Sequence, residues 1–206
     1  MRFDTTLAKL KLGRNYYAIP VNHFDAPITS HGREGDFTLG DGFFLVGLYP
    51  DFEGRSKDNR KAFNEVGQSR QIYVLGSTGS PKPLVDQVRI ILNLRLQNST
   101  PTGPWQVQGD EFVVEISSAP DDTGSKLKDV FINTKDGSFT ICTRAEMLEG
   151  WNRPRNPSCH STFHDDNIYY EVSYTRVYME QRDTIKRLIL DKFAGWRVDR
   201  LPTLNP

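Results

Sequence analysis

No stretch of the 206-residue chain approaches the roughly 18 to 20 consecutive apolar residues that cross a bilayer as a helix. The first residues, Met1-Arg2-Phe3-Asp4-Thr5-Thr6, lack the apolar core and small-residue cleavage site of a secretory leader. There is no excess of charge of either sign, since 26 Lys and Arg stand against 26 Asp and Glu. Such a balance gives no general attraction to phosphate backbones or anionic lipid, which disfavours nucleic acid as a partner. Nucleotide and hydrolase signatures are missing as well. Gly76-Ser77-Thr78-Gly79 is not followed by Gly-Lys-Ser/Thr and lacks the Gly-x-Ser-x-Gly spacing, and no Gly-x-Gly-x-x-Gly follows a strand-like run. Only four histidines and two cysteines occur, and the cysteines do not form the paired C-x2-4-C knuckle of structural zinc sites. No cofactor, no resident metal and no enzymatic activity are expected.

What the chain does have is aromatic bulk: twelve Phe, eight Tyr and three Trp offset a modest aliphatic content. A chain of this length buries roughly 70% of its unfolded surface, enough for a real core. The two cysteines, Cys142 and Cys159, have sixteen residues between them, including Gly150, Pro154 and Pro157. They are read as a disulfide closing a loop, worth roughly 3 kcal/mol by chain entropy; the competing reading is two reduced, buried thiols. A disulfide implies an oxidising compartment. The expectation is therefore export to the periplasm, with a leader or membrane anchor that once preceded Met1.

The pattern predicts mostly strands. Arg14 to Phe24 reads as an edge strand because Pro20 lacks an amide donor. Pro27 to Gly42, with four glycines among charges, reads as a loop before a buried strand at Phe43 to Tyr49. Lys57 to Val66 suggests a short polar helix, and Gln71 to Leu75 a strand stopped by Gly76. After Pro81 and Pro83, Leu84, Val85, Val88, Ile91, Leu92 and Arg95 share a helix face. Residues 98–104 are the single plausible internal boundary in what is expected to be one domain, 1–206. Glu111 to Ser117 is a strand. Asp129 to Asn133 and Ser138 to Thr143 flank Lys135-Asp136-Gly137, a hairpin signal. Ile168 to Tyr178 alternates cleanly, and Glu180 to Phe193 sets Ile185, Leu188, Ile189 and Lys192 on one helical stripe. The expected fold is α+β, an antiparallel sheet with a C-terminal amphipathic helix packed on it and one disulfide-closed loop.

Three groups of residues are candidates for function. Trp151, Arg153 and Arg155 lie in the loop that the cysteines would pin, and Trp and Arg are enriched where interfaces carry their binding energy; the competing reading has Trp151 covering the cystine and the arginines in water. Glu34, Asp36 and Asp41 form a second, acidic contact surface, with solvated loop as its alternative. Cys142, Cys159, His160, His164, Asp165 and Asp166 form the densest set of metal-ligand types, and His160, His164, Asp165 and Asp166 are the basis of an alternative reading as a small envelope hydrolase or metal-binding protein. His23, Asp25 and His31 are weaker still.

Two stretches resemble a known group. Tyr16 to Pro20, Gly47-Leu48-Tyr49-Pro50-Asp51-Phe52, Asn59 and Phe63 resemble the N-terminal pattern of Gram-negative periplasmic or membrane-anchored envelope proteins encoded beside type VI secretion effectors. Phe139-Thr140-Ile141-Cys142, Asn156-Pro157-Ser158-Cys159, Val172-Ser173-Tyr174-Thr175-Arg176, Arg182-Asp183-Thr184-Ile185 and Leu188 to Phe193 resemble the C-terminal one. Gln181-Arg182 stands where that pattern commonly has a tryptophan, and the pattern contains no catalytic residue. The resemblance implies an immunity protein that binds a cognate secreted effector in the periplasm and occludes its active site. A structural subunit of an envelope assembly is the further alternative.

Overall fold

In a computed structural model of the chain, residues 6–25, 30–65, 69–79, 99–101, 103–118, 127–144 and 157–198 are described. The Leu-Ala-Lys-Leu-Lys-Leu run forms β1 (Leu7–Leu12), with Leu10 and Leu12 buried, and Gly13 at φ +58° turns the chain into β2 (Asn15–Pro20). β2 is not an edge strand. Pro20 occupies its last position, opposite Leu7, so the missing amide interrupts no central ladder bond. The stretch expected as loop up to Gly42 contains a hairpin, β3 (Ser30–Glu34) and β4 (Phe37–Gly40), turning at Gly35-Asp36 with Gly35 at φ +59°. Glycine and charge hide it in the sequence. β4 is held by parallel pairing to β1, Leu10 opposite Thr38 and Leu12 opposite Gly40, and by Phe37 set edge-on to Tyr16 at 5.0 Å.

A second sheet begins with β5 (Gly42–Leu48) and β6 (Gln71–Thr78). Gly76 does not stop β6. It lies opposite Phe43, and a β-carbon at Gly76 would sit 1.9 Å from Phe43 Cζ, so the glycine lets the ring lie across the strand. The polar helix expected over 57–66 is a single 3-10 turn, Ala62–Asn64. Ser56 N donates to Asn59 Oδ1 at 2.8 Å and Asn59 N to Ser56 Oγ at 3.2 Å, local bonds that compete with helix. The helix expected over 84–95 lies outside the described residues.

The remaining strands are β7 (Ser99–Pro101), β8 (Gln106–Gln108), β9 (Glu111–Ser118), β10 (Leu127–Asn133), β11 (Phe139–Thr143), β12 (Ser158–Asp165) and β13 (Ile168–Thr175). The order is β5-β6-β13-β12-β11-β10-β9-β7, with β8 also on β9. β7 thus draws part of the 98–104 stretch into this sheet. Asn133 Oδ1 accepts Lys135 N at 2.9 Å and Gly137 takes φ +71°, which makes the β10–β11 turn. In β13, Ile168, Tyr170, Val172 and Tyr174 are buried. The strand ends at Thr175, and a 3-10 segment, Arg176–Gln181, leads into α1 (Arg182–Trp196).

α1 buries Ile185, Ile189 and Phe193, spaced four apart on one face. Phe193 stands 5.8 Å from Tyr17 of β2, 4.9 Å from Phe43 of β5 and 5.1 Å from Tyr170 of β13, so the helix is packed where the two sheets meet. Burying each such side chain stabilises by about 1.5–3 kcal/mol. Directly after the helix, β14 (Arg197–Val198) pairs with Tyr16 and Tyr17 and completes the first sheet, order β14-β2-β1-β4-β3. The fold is α+β but strand-dominated, with two sheets in place of the single antiparallel one expected, and the first is mixed. Alternation reveals strands without revealing which of them pair.

Candidate functional site

The β11–β12 ladder brings Cys142 opposite Cys159 with Cα atoms 4.0 Å apart, and the two form a disulfide, fully buried. The next residues out repeat the clasp with hydrogen bonds. Ser158 N donates to Thr143 Oγ1 at 3.0 Å, and Thr143 Oγ1 donates to the Ser158 carbonyl at 3.2 Å. Arg176, just past β13, donates through Nη1 to the carbonyls of Cys142 and Thr143 at 3.3 and 3.0 Å. Its Nη2 pairs with Asp129 of β10, which also accepts Arg144 Nε at 3.0 and 3.2 Å, while Arg144 reaches Glu115 of β9. Burial alone would raise the Asp129 pKa, but the donors on Arg144 and Arg176 outweigh it and hold the carboxyl below its ordinary range. The β11–β12 connection therefore leaves from a rigid frame of one disulfide and an Arg-Asp-Arg cluster. Trp151, Arg153 and Arg155 lie in that connection and outside the described residues. A loop anchored at both ends loses less entropy on binding.

The acidic group is less acidic as a surface than in sequence. Glu34 accepts Tyr16 Oη at 2.9 Å and pairs with Lys11, so it ties β3 to β2 and β1 across the first sheet. Asp36, at the β3–β4 turn, faces Lys9 at 3.1 Å, and Asp41 faces His31 Nδ1 at 3.5 Å. The side chains of Asp36 and Asp41 remain 80% and 76% exposed, which leaves these two accessible to a partner.

The metal-ligand types do not converge. His160 and His164 are four positions apart on β12, about 13 Å along an extended strand, whereas ligands of one zinc ion each lie about 2 Å from it. His160 Nδ1 is 2.8 Å from Ser173 Oγ, and His164 sits edge-on to Tyr169. Asp166, at φ +50° in the β12–β13 turn, accepts Asn15 Nδ2 at 2.7 Å and joins the two sheets. His31 pairs with Asp41, Asp25 with Arg55, and His23 stacks on Phe52 at 5.2 Å and meets Trp196 at 5.0 Å. Among the described residues no group of three His, Cys, Asp or Glu is placed to hold a metal. Burial drives the His23 pKa down to about 4, and its Nδ1 has no hydrogen-bond partner. A cleft beside the first turn of α1, lined by Phe131, Thr140, Ser161, Phe163, Arg182 and Lys186, holds two cations already paired with Glu111 and Asp136.

No family model and no curated protein matches the sequence. Solved structures are similar along almost its whole length. Smlt3025, an immunity protein of the Stenotrophomonas maltophilia type IV secretion system, superposes with TM-score 0.61 at 17% identity over 95% of each chain. The iron-regulated outer membrane lipoprotein FrpD of Neisseria meningitidis does so with TM-score 0.57 at 8% identity over 93% of this chain and 94% of that one. At such identities the likeness establishes a shared fold.

Sequence reasoning missed the arginine cluster around Asp129, because Asp129, Arg144 and Arg176 look like separate surface charges until the strands pair. It also missed the β8–β9 hairpin, although Gly109-Asp110 between Val107 and Phe112 is a turn signal of the kind that marks a two-residue connection.

Proposed function

We propose that this chain is an immunity protein of the bacterial envelope, which binds a secreted effector and holds it inactive by covering the effector's active site. The observation that carries this reading is the end-to-end likeness of fold to Smlt3025, described as a secretion-system immunity protein. The buried disulfide supports it by pointing to an oxidising compartment, consistent with the periplasm. The protein acts by binding and not by catalysis. The sequence resemblance favours an effector of a type VI system, whereas the protein of similar fold belongs to a type IV system. Binding surfaces in this proposal are the disulfide-closed connection, with Trp151, Arg153 and Arg155, and the exposed acids Asp36 and Asp41 beside Glu34.

Co-purification of the protein with the product of its neighbouring gene tests this reading. A stable stoichiometric complex is expected. A second reading, an envelope structural subunit, is favoured by the likeness of fold to an outer membrane lipoprotein; it predicts no such complex.

A further inference from the structure

Arg176 is the first residue past β13 and opens the 3-10 segment that leads into α1. β12 lies next to β13, β11 next to β12 and β10 next to β11, so a side chain that reaches from here to β10 runs across the ends of β12 and β11. Arg176 makes that reach. Its Nη2 pairs with Asp129 of β10, and its Nη1 donates to the carbonyls of Cys142 and Thr143 at 3.3 and 3.0 Å, where the chain leaves β11. Its main-chain N donates to the Pro157 carbonyl at 2.9 Å, where the chain returns to β12. One residue thus holds both the exit and the return of the disulfide-closed connection.

The disulfide joins Cys142 to Cys159, each one residue inside the end of its strand. Thr143 and Ser158 lie beyond it. There they exchange two bonds, Arg144 N donates to the Leu127 carbonyl at 3.0 Å, and the Arg144 side chain pairs with Asp129 and Glu115. Of these ties and those of Arg176, only Arg176 grips exit and return together from outside both strands. Its planar guanidinium carries donors in fixed directions, so one carboxylate and two carbonyls are held at once, whereas a lysine ammonium is a point charge on a flexible stem. Three of the stretches singled out in the sequence end here, at Cys142, Cys159 and Arg176. The register brings those ends together, with Cys142 opposite Cys159 and Ser158 opposite Thr175.

We infer that Arg176 is the positioning residue of the binding surface: without touching the effector, it fixes both ends of the connection that carries Trp151, Arg153 and Arg155, and so sets the affinity of that connection for its partner. This inference rests on the immunity reading and deepens it. A segment whose ends are already held has less freedom to lose when a partner orders it, so loosening the ends weakens binding although every contact residue is still in place. A merely structural Arg176 would neutralise Asp129 and do nothing more. The two roles differ in what a lysine at position 176 does, and in whether its effect passes through the connection.

The test uses the whole chain and the purified product of the neighbouring gene, whose binding to the wild-type protein is measured first. Arg176→Lys keeps a cation beside Asp129 and loses the fork. At a temperature where variant and wild type are both fully folded, it is expected to weaken binding about tenfold. The same substitution is then made in Trp151→Ala/Arg153→Ala/Arg155→Ala, which has no anchors left to position, and there it is expected to change the affinity less than about threefold, since effects that share one route do not add. Equal losses in the two backgrounds, unchanged affinity of Arg176→Lys, or a triple variant that binds like the wild type each overturn the inference and leave the immunity reading standing. Absence of wild-type binding overturns both. If Arg176→Lys does not fold, or the triple variant binds too weakly to measure, hydrogen exchange in the free wild-type protein decides. The amides of Arg176 and Ser158, bonded to the Pro157 carbonyl and Thr143 Oγ1, are expected to be protected before any partner is added. Exchange there as fast as in an unfolded chain overturns the inference.

Discussion

Acidification from pH 7 to pH 4 is expected to cost this protein stability chiefly through one side chain, His23. Its ring is packed between Phe52 and Trp196, with the residue only 7% exposed and Nδ1 without a partner. Desolvation is the main cause of its low pKa; the positive charges of Lys192 and Arg55 add to it, and the Val46 carbonyl opposes it. The unfolded chain takes up a proton near pH 6.5 and the folded chain only near pH 4, so between these values the unfolded state binds more protons. Stability is fully present above pH 6.5, falls as the pH drops toward 4, and levels off below. At about 1.4 kcal/mol per pH unit, the loss amounts to roughly 3 kcal/mol. Urea unfolding at pH 7, 6, 5 and 4 measures it in the wild type and in His23→Phe, which keeps an aromatic ring between Phe52 and Trp196 and removes the titrating group. The variant is expected to lose at least about 2 kcal/mol less than the wild type across this window. Parallel pH dependence in the two proteins would refute the assignment of the acid sensitivity to His23.

Asp129→Asn is expected to destabilise by about 2 kcal/mol at pH 7, since it strips the charge from a carboxylate that two guanidiniums share. Because the folded pKa of Asp129 is depressed, its contribution is present above the unfolded value of 3.8 and is lost as the pH falls through the folded one, so variant and wild type converge in strong acid. Thiol titration of the denatured, unreduced protein is expected to find no free thiol, and Cys142→Ser/Cys159→Ser to lower the unfolding free energy by about 3 kcal/mol. Gly76→Val sets a side chain into the space of the Phe43 ring and is expected to cost about 2 kcal/mol, partly recovered by Phe43→Leu, as read from thermal unfolding.

The parts of this molecule legible in the sequence are those where a local period or a unique pairing settles the matter. Strict alternation in Ile168 to Tyr174 and the four-residue spacing of Ile185, Ile189 and Phe193 mark β13 and α1. With only two cysteines the bond could have only one partner assignment. The resembling N-terminal residues turn out to serve architecture. A β-carbon at Gly47 would lie 2.5 Å from the Phe52 ring, Phe52 is fully buried at φ +52°, and Asn59 Nδ2 donates to the Gly54 carbonyl at 2.9 Å. What local pattern could not reveal depends on long-range pairing. The β3–β4 hairpin exists because β4 lies beside β1, and Gly76 sits inside a strand because Phe43 lies across it. Asp129 and Arg176 meet from 47 positions apart. The same limit hid β8, whose exposure follows from its place at the sheet's end and not from its composition.

The central claim is that this protein protects a cell from a secreted effector, and a growth assay tests it most directly. The neighbouring gene product is expressed in a susceptible strain, directed either to the periplasm or to the cytoplasm, with this protein exported alongside it. Restored growth against the periplasmic effector alone is the predicted result. Undiminished killing, with this protein folded and present in the periplasm, would contradict the account.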